Sequence, residues 1–118
     1  MDANTQYQIP LRVGSLVDGL TITEIGESLI MNDTALVAVR LADSTHRLVS
    51  TYRDDCHAIK YVLPEAEQLV RNSSKMPAFR QGPGSGVFHV WVWEGSREVF
   101  LKLYYNDKAG RQEEISRK

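Results

Sequence analysis

Cysteine is nearly absent: Cys56 is the only one in the chain. One thiol cannot close an internal disulfide or supply a multi-cysteine zinc site. It suits a reducing compartment. Long apolar runs are also missing. No stretch approaches the ~20 residues that a membrane-spanning helix needs, and MDANTQYQIP has neither the basic nor the apolar region of a secretory signal. The expectation is a cytoplasmic protein with no membrane partner. Charge of one sign is lacking too, with 14 Lys and Arg against 15 Asp and Glu and a net charge of -1. That balance removes any bulk attraction to nucleic acid or acidic lipid. Only a local basic patch, drawn from Arg47, Arg53, Lys60, Arg71 and Lys75, would restore it.

Catalytic fingerprints are missing as well. There is no HExxH, no histidine pair at i, i+4, no Walker or dinucleotide loop and no nucleophile elbow. GPGSG has the composition of a phosphate loop but lacks the lysine and precedes a strand. Neither a cofactor nor a metal is expected. There is no internal repeat, low-complexity tract or dividing linker. At 118 residues with 42% hydrophobic content, the chain reads as one domain, 1–118, able to bury a core without staples. Residues 1–6 and 112–118 are expected as disordered tails, the latter either loose or a short edge strand around Glu114-Ile115.

The strongest positive signal is Val87 to Tyr105, VFHVWVWEGSREVFLKLYY. It predicts two strands around a two-residue turn at Gly95-Ser96, where glycine accepts the positive φ of a tight hairpin. Counting outward pairs Glu94 with Arg97, Trp91 with Phe100, His89 with Lys102 and Val87 with Tyr104. Side chains alternate between faces. One face is then Phe88, Val90, Val92, Val99, Leu101 and Leu103, apolar throughout. The other is Val87, His89, Trp91, Trp93, Glu98, Phe100, Lys102 and Tyr104, aromatic with charges.

Earlier in the chain, Tyr7, Ile9, Leu11 and Val13 alternate with polar residues and suggest a first strand, ended by Gly14-Ser15. Asp18-Gly19 marks a turn. Leu20 to about Ile25 reads as a strand, Gly26-Glu27 as a bend and Ser28 to Met31 as a short apolar run. Asn32-Asp33 is a second hairpin signal that pairs Ile30 with Ala35 and Leu29 with Leu36. Ala35 to Leu41 and Arg47 to Tyr52 read as strands around the turn Ala42 to Thr45.

The period then changes. Asp54 or Asp55 is a candidate helix N-cap, followed at helical spacing by Ala58, Ile59, Val62 and Leu63, then Ala66, Leu69 and Val70. Pro64 costs about 3 kcal/mol inside a helix but little at the start of a new one. One kinked helix therefore competes with two short ones, Asp55 to Leu63 and Pro64 to Asn72. Glu65 and Glu67 near a new N-terminus favour the split. Lys75 to Gly86 reads as a long irregular loop, and long loops are often functional. The expected class is α+β: a mainly antiparallel sheet of about six strands, in meanders and hairpins or a half-barrel, with the kinked or split helix packed on one face.

Candidate chemistry is sparse. Cys56 and His57 are adjacent, so on a helix they point about 100° apart and form no dyad. Cys56 reads as a small buried thiol, His46 as a turn residue, Asp54-Asp55 as caps and Glu113-Glu114 as a solvated run. The aromatic face carries the expectation of function. Its candidate binding residues are Arg80, His89, Trp91, Trp93, Phe100, Lys102 and Tyr104. The face is a second core, a protein interface or a platform for stacking bases with Arg80, His89 and Lys102 toward phosphates. The leading reading is a small non-enzymatic binding or inhibitory protein, in the manner of immunity or phage-borne inhibitor proteins, with a protein partner or a homo-oligomer. The alternatives are a nucleotide or oligonucleotide binder and a small hydrolase or nuclease using His, Cys and Asp residues.

Overall fold

Residues that accept positive φ set the turns. Asp18 at 54° and Gly19 at 78° close the first hairpin, and Gly95 at 64° begins the turn of the long one. The computed structural model describes residues 10–31, 34–52, 55–83, 86–106 and 110–117. Among them a first antiparallel sheet runs β1 (Leu16–Val17), β2 (Leu20–Met31), β3 (Thr34–Leu41), β4 (His46–Tyr52) and β5 (Asp55–Ala58), in that spatial order. Helix α1 (Pro64–Arg71) follows. A second antiparallel sheet runs β6 (Ala78–Gln81), β7 (Val87–Glu94), β8 (Arg97–Asn106) and β9 (Gly110–Arg117). The protein is thus mostly antiparallel sheet with a single short helix, and one of its two sheets is nearly barrel-shaped. No helix among the described residues is long and apolar enough to cross a membrane.

Period-2 patterning places the cores. In β3, Val37, Val39 and Leu41 point into one cluster with Val17, Ile22, Ala35 and Val49. The opposite parity, Leu36 and Ala38, joins a second cluster between the two sheets. β3 is therefore buried on both faces, as its near-continuous apolar sequence requires. The second cluster receives Val90, Val92, Val99, Leu101 and Leu103 from the long hairpin and Leu69 and Val70 from α1. In β2 the pairing with β3 shifts register between Ile25 and Ser28, around Gly26. A Cβ there would collide with Met76, so the bulge lets the segment before β6 close onto the first sheet. The Phe79 amide then donates to Glu27 Oε1 at 3.3 Å, a further tie between the sheets.

The long hairpin has the expected register at all of its pairs, from Val87 with Tyr104 to Glu94 with Arg97. Ile30 pairs with Ala35 and Leu29 with Leu36, although Asn32-Asp33 lies outside the described residues. Helix α1 begins at Pro64 and carries Glu65 and Glu67 in its first turn and Arg71 in its last. Its buried residues Ala66, Leu69 and Val70 form the stripe that helical spacing indicated.

Several expectations are corrected or resolved. The first helix, Asp55 to Leu63, does not form. Asp55–Ala58 is β5, paired with β4 from Tyr52 to Val49, so no helix starts at Asp55. Sheet pairing overrode a weak helical period, and Pro64 holds Leu63 extended at φ -95°, ψ 117°. One helix is therefore present among the described residues, neither kinked nor doubled. Of the two readings of 112–118, the edge strand is the one found over the described part, longer than expected, since β9 pairs with β8 from Asn106 to Val99. The Lys75 to Gly86 loop contains β6, paired with Phe88 to Trp91. The expected first strand falls partly on residues 7–9, outside the described residues, and residues 10–13 are not strand; the first strand among the described residues is Leu16–Val17. Nine strands among the described residues replace the expected six or so.

Two polar side chains read as surface features are buried. Glu113, 9% exposed, points inward from β9. Its carboxylate accepts the Val62 amide at 2.9 Å and the Leu63 amide at 2.6 Å. Leu63 offers no side-chain cap of its own, so a strand distant in sequence supplies acceptors at the helix entrance. His46 is 1% exposed rather than a turn residue.

Candidate functional site

Side-chain alternation on β7 and β8 leaves an outer face on the second sheet, away from both cores. Pairing extends it across four strands. Ala78, Trp91, Phe100 and Ser116 stand in one cross-strand row, and Arg80, His89, Lys102 and Glu114 in the next. Trp93 and Glu98 form a row on one side, and Val87 and Tyr104 on the other. All seven candidate residues lie on this face. Trp91, Trp93, His89, Phe100, Lys102 and Tyr104 are half-buried and Arg80 is exposed. The face is therefore not sealed as a second core.

The rings touch. His89 meets Phe100 edge-on at 5.0 Å between centroids and Trp91 at 6.3 Å, and Trp91 meets Phe100 at 5.4 Å. These separations suit edge-to-face and tilted aromatic pairs. Three of the rings also carry a cation. Arg80 lies 5.6 Å from the Trp91 centroid, Lys75 5.5 Å from Trp93 and Lys102 5.5 Å from Tyr104. Such contacts are worth about 0.5–1 kcal/mol at exposed sites. Their larger effect here is to hold flexible cations flat against the rings.

Charge is uneven across the strands, with carboxylates only on the β8–β9 side, where Lys102 stands beside them. Lys75 and Arg80 stand on the β6 side, and neither has an ion-pair partner among the described residues. Glu98 and Glu114 stand on the β8–β9 side. Tyr104 donates its hydroxyl to Glu114 Oε1 at 3.1 Å. The Lys102 ammonium is held above its ordinary pKa, mainly by the Tyr104 hydroxyl, with Glu114 adding. On the face itself, His89 Nε2 is buried without a hydrogen-bond partner among the described residues. Gly82 packs directly over that nitrogen, in a space that a Cβ would overfill.

Lys75 and Glu114 were not picked out from the sequence as parts of this face. Lys75 sits in a segment without period. Glu114 was hidden by the charged tail, although the alternation Glu113, Glu114, Ile115, Ser116 beside a long hairpin is a strand signal.

The other reactive side chains do not gather. His46 is enclosed in the first sheet, where its Nε2 accepts from Arg40 Nε at 3.3 Å, which puts the ring proton on Nδ1. Burial pushes its pKa down, Arg40 adds to the shift, and the Ser73 backbone opposes it. Cys56 packs toward the interior of the first sheet and its neighbour His57 is exposed on the opposite parity. Both border an open groove of about 490 Å³ between β1 and β5, lined also by Asp18, Lys60, Tyr61 and Glu67. Asp54 lies outside the described residues. The described residues contain no group of three or more His, Cys, Asp or Glu arranged to hold a metal. No protein-family model, curated protein or solved structure matches the chain.

Proposed function

We propose that the chain is a small non-enzymatic binding protein, able to act as an inhibitor of what it binds, whose protein partner docks on the outer face of the second sheet. The observation that carries this reading is the continuous, half-exposed cluster of His89, Trp91 and Phe100, with cations laid over Trp91 and the neighbouring Trp93. Half-buried Trp, Tyr and Arg in one patch have the chemistry of interface hot spots. A pre-ordered patch also loses less side-chain entropy on binding.

The test is a photo-crosslinking residue at position 102 in the full chain, expressed with and without Trp91→Ala. The expected result is a discrete protein adduct that disappears in the Trp91→Ala protein while its circular dichroism stays native. An adduct indifferent to Trp91, or a Trp91→Ala, Phe100→Ala variant that unfolds because the face is core, would refute the proposal.

A second reading follows from Arg80 over Trp91, since an arginine beside an indole can hold a base and its phosphate. Glu98 and Glu114 on the same face oppose a phosphate backbone, which ranks this second. Titration of tryptophan fluorescence with a single-stranded oligonucleotide separates the two. Salt-sensitive quenching lost in both Trp91→Ala and Arg80→Ala would favour the nucleotide reading. The hydrolase or nuclease reading has no supporting geometry in the placement of His46, Cys56, His57 and His89.

A further inference from the structure

The charges on the outer face have an order that selects a partner. The two cations Lys75 and Arg80 occupy the β6 flank, and the carboxylates Glu98 on β8 and Glu114 on β9 lie toward the opposite flank, with the Lys102 ammonium of β8 between His89 and Glu114. The rings lie between them. Arg80 and Glu114 fall in the same cross-strand row, as do Trp91 and Phe100. Turning a second copy about a two-fold axis that runs along the strands, between β7 and β8, exchanges left and right but keeps the rows. Arg80 then faces Glu114 of the second copy, Lys75 approaches its Glu98, and Trp91 meets its Phe100. Both partners make the same contacts, as a two-fold interface requires.

We infer that the outer face of the second sheet binds a second copy of this chain, as a face-to-face homodimer. The inference rests on the outer face being the binding surface and names its occupant. A uniformly acidic or basic partner would meet like charge at Glu114 or at Arg80; a second copy pairs these two reciprocally and sets Lys102 against its His89. With strands about 4.8 Å apart and about 3.4 Å per residue, three strands of at least eight residues and a β6 of four give roughly 450 Å² per copy. That is the size of a weak, transient contact. The dimer is therefore reversible, and salt weakens its flanking ion pairs.

Sedimentation equilibrium of the full chain, from about 10 µM to about 1 mM to bracket a weak interface, tests this on four proteins. They are the wild type, Arg80→Glu, Glu114→Arg and the double exchange. Arg80 and Glu114 are exposed, so near-ultraviolet circular dichroism should report a native fold in all four. The wild type should show a monomer–dimer equilibrium. Each single reversal sets like charges against each other and should weaken it at least about tenfold. The double exchange should restore wild-type affinity. A monomeric wild type overturns the inference, and so does a dimer that ignores both reversals or an exchange that fails to rescue. A monomeric wild type that still gives a Trp91-dependent adduct with a different protein overturns the second copy alone and leaves the face a binding surface. Unfolding of the Trp91→Ala, Phe100→Ala variant overturns both.

Discussion

Truncating Glu113 tests whether a strand-borne carboxylate holds the entrance of helix α1. The carboxylate is 9% exposed and accepts two backbone amides, Val62 at 2.9 Å and Leu63 at 2.6 Å. Pro64, at the first helical position, has no amide, and Leu63 gives no side-chain cap. Glu113→Ala removes both acceptors. Hydrogen bonds to a charged group are worth about 1.5–3 kcal/mol each. The upper end does not apply, because Val62 is 58% and Leu63 37% exposed, so water can reach their amides once the carboxylate is gone. The expected loss is about 2–3 kcal/mol in total, a large share of the 5–15 kcal/mol typical of a domain. Glu113→Gln keeps one carbonyl acceptor but turns an NH₂ toward the other amide; its cost is about 1–2 kcal/mol. Glu114→Ala is the control: it removes the neighbouring carboxylate, which is exposed and bonded to Tyr104, and should stay within about 0.5 kcal/mol of wild type. Urea unfolding gives the three differences, and an unchanged slope shows that the unfolded state is comparable. Hydrogen exchange at Val62 and Leu63 locates the effect. If Glu113→Ala costs no more than Glu114→Ala and both amides keep their protection, the remote cap does not operate.

Two further perturbations probe buried groups. His46 is held neutral, with a pKa below the ordinary 6.5, so the unfolded chain binds its proton more readily. Its contribution is complete above pH 6.5 and falls as pH drops below that value toward the folded pKa. Wild type should therefore lose stability on acidification through this window more steeply than His46→Gln, measured by urea midpoints; parallel curves would remove His46 as the cause. In Gly82→Ala, the new Cβ would sit 2.8 Å from His89 Nε2 and 2.8 Å from Val87 Cγ1. The ring must move, at a cost of about 1–3 kcal/mol, and tryptophan fluorescence should shift because His89 contacts Trp91. A native spectrum with native stability would show that Gly82 does not position the aromatic face.

The legible part of the fold is the part whose signal is local. Two-residue turns and strict alternation set the β7–β8 register, because a slip by one residue would move Val90, Val92, Val99, Leu101 and Leu103 out of the core. The pairing of Ile30 with Ala35 followed from the same logic. Pro64 and the stripe Ala66, Leu69 and Val70 marked α1 for equally local reasons. The seven candidate residues of the outer face come from that alternation.

Tertiary structure decided everything that depends on a partner distant in sequence. Asp55–Ala58 is a strand because the edge of β4 was open to it, and Ala78–Gln81 because β7 offered its free edge. Neither segment carries a period of its own strong enough to announce a strand. Glu113 became a buried cap only when β9 laid it beside Val62 and Leu63, 51 and 50 residues away. The uneven placing of cations and carboxylates around the aromatic cluster likewise exists only once β6 and β9 flank the hairpin. Alternation along a strand is written in neighbouring residues; which strand lies beside it is settled by the packing of the whole chain.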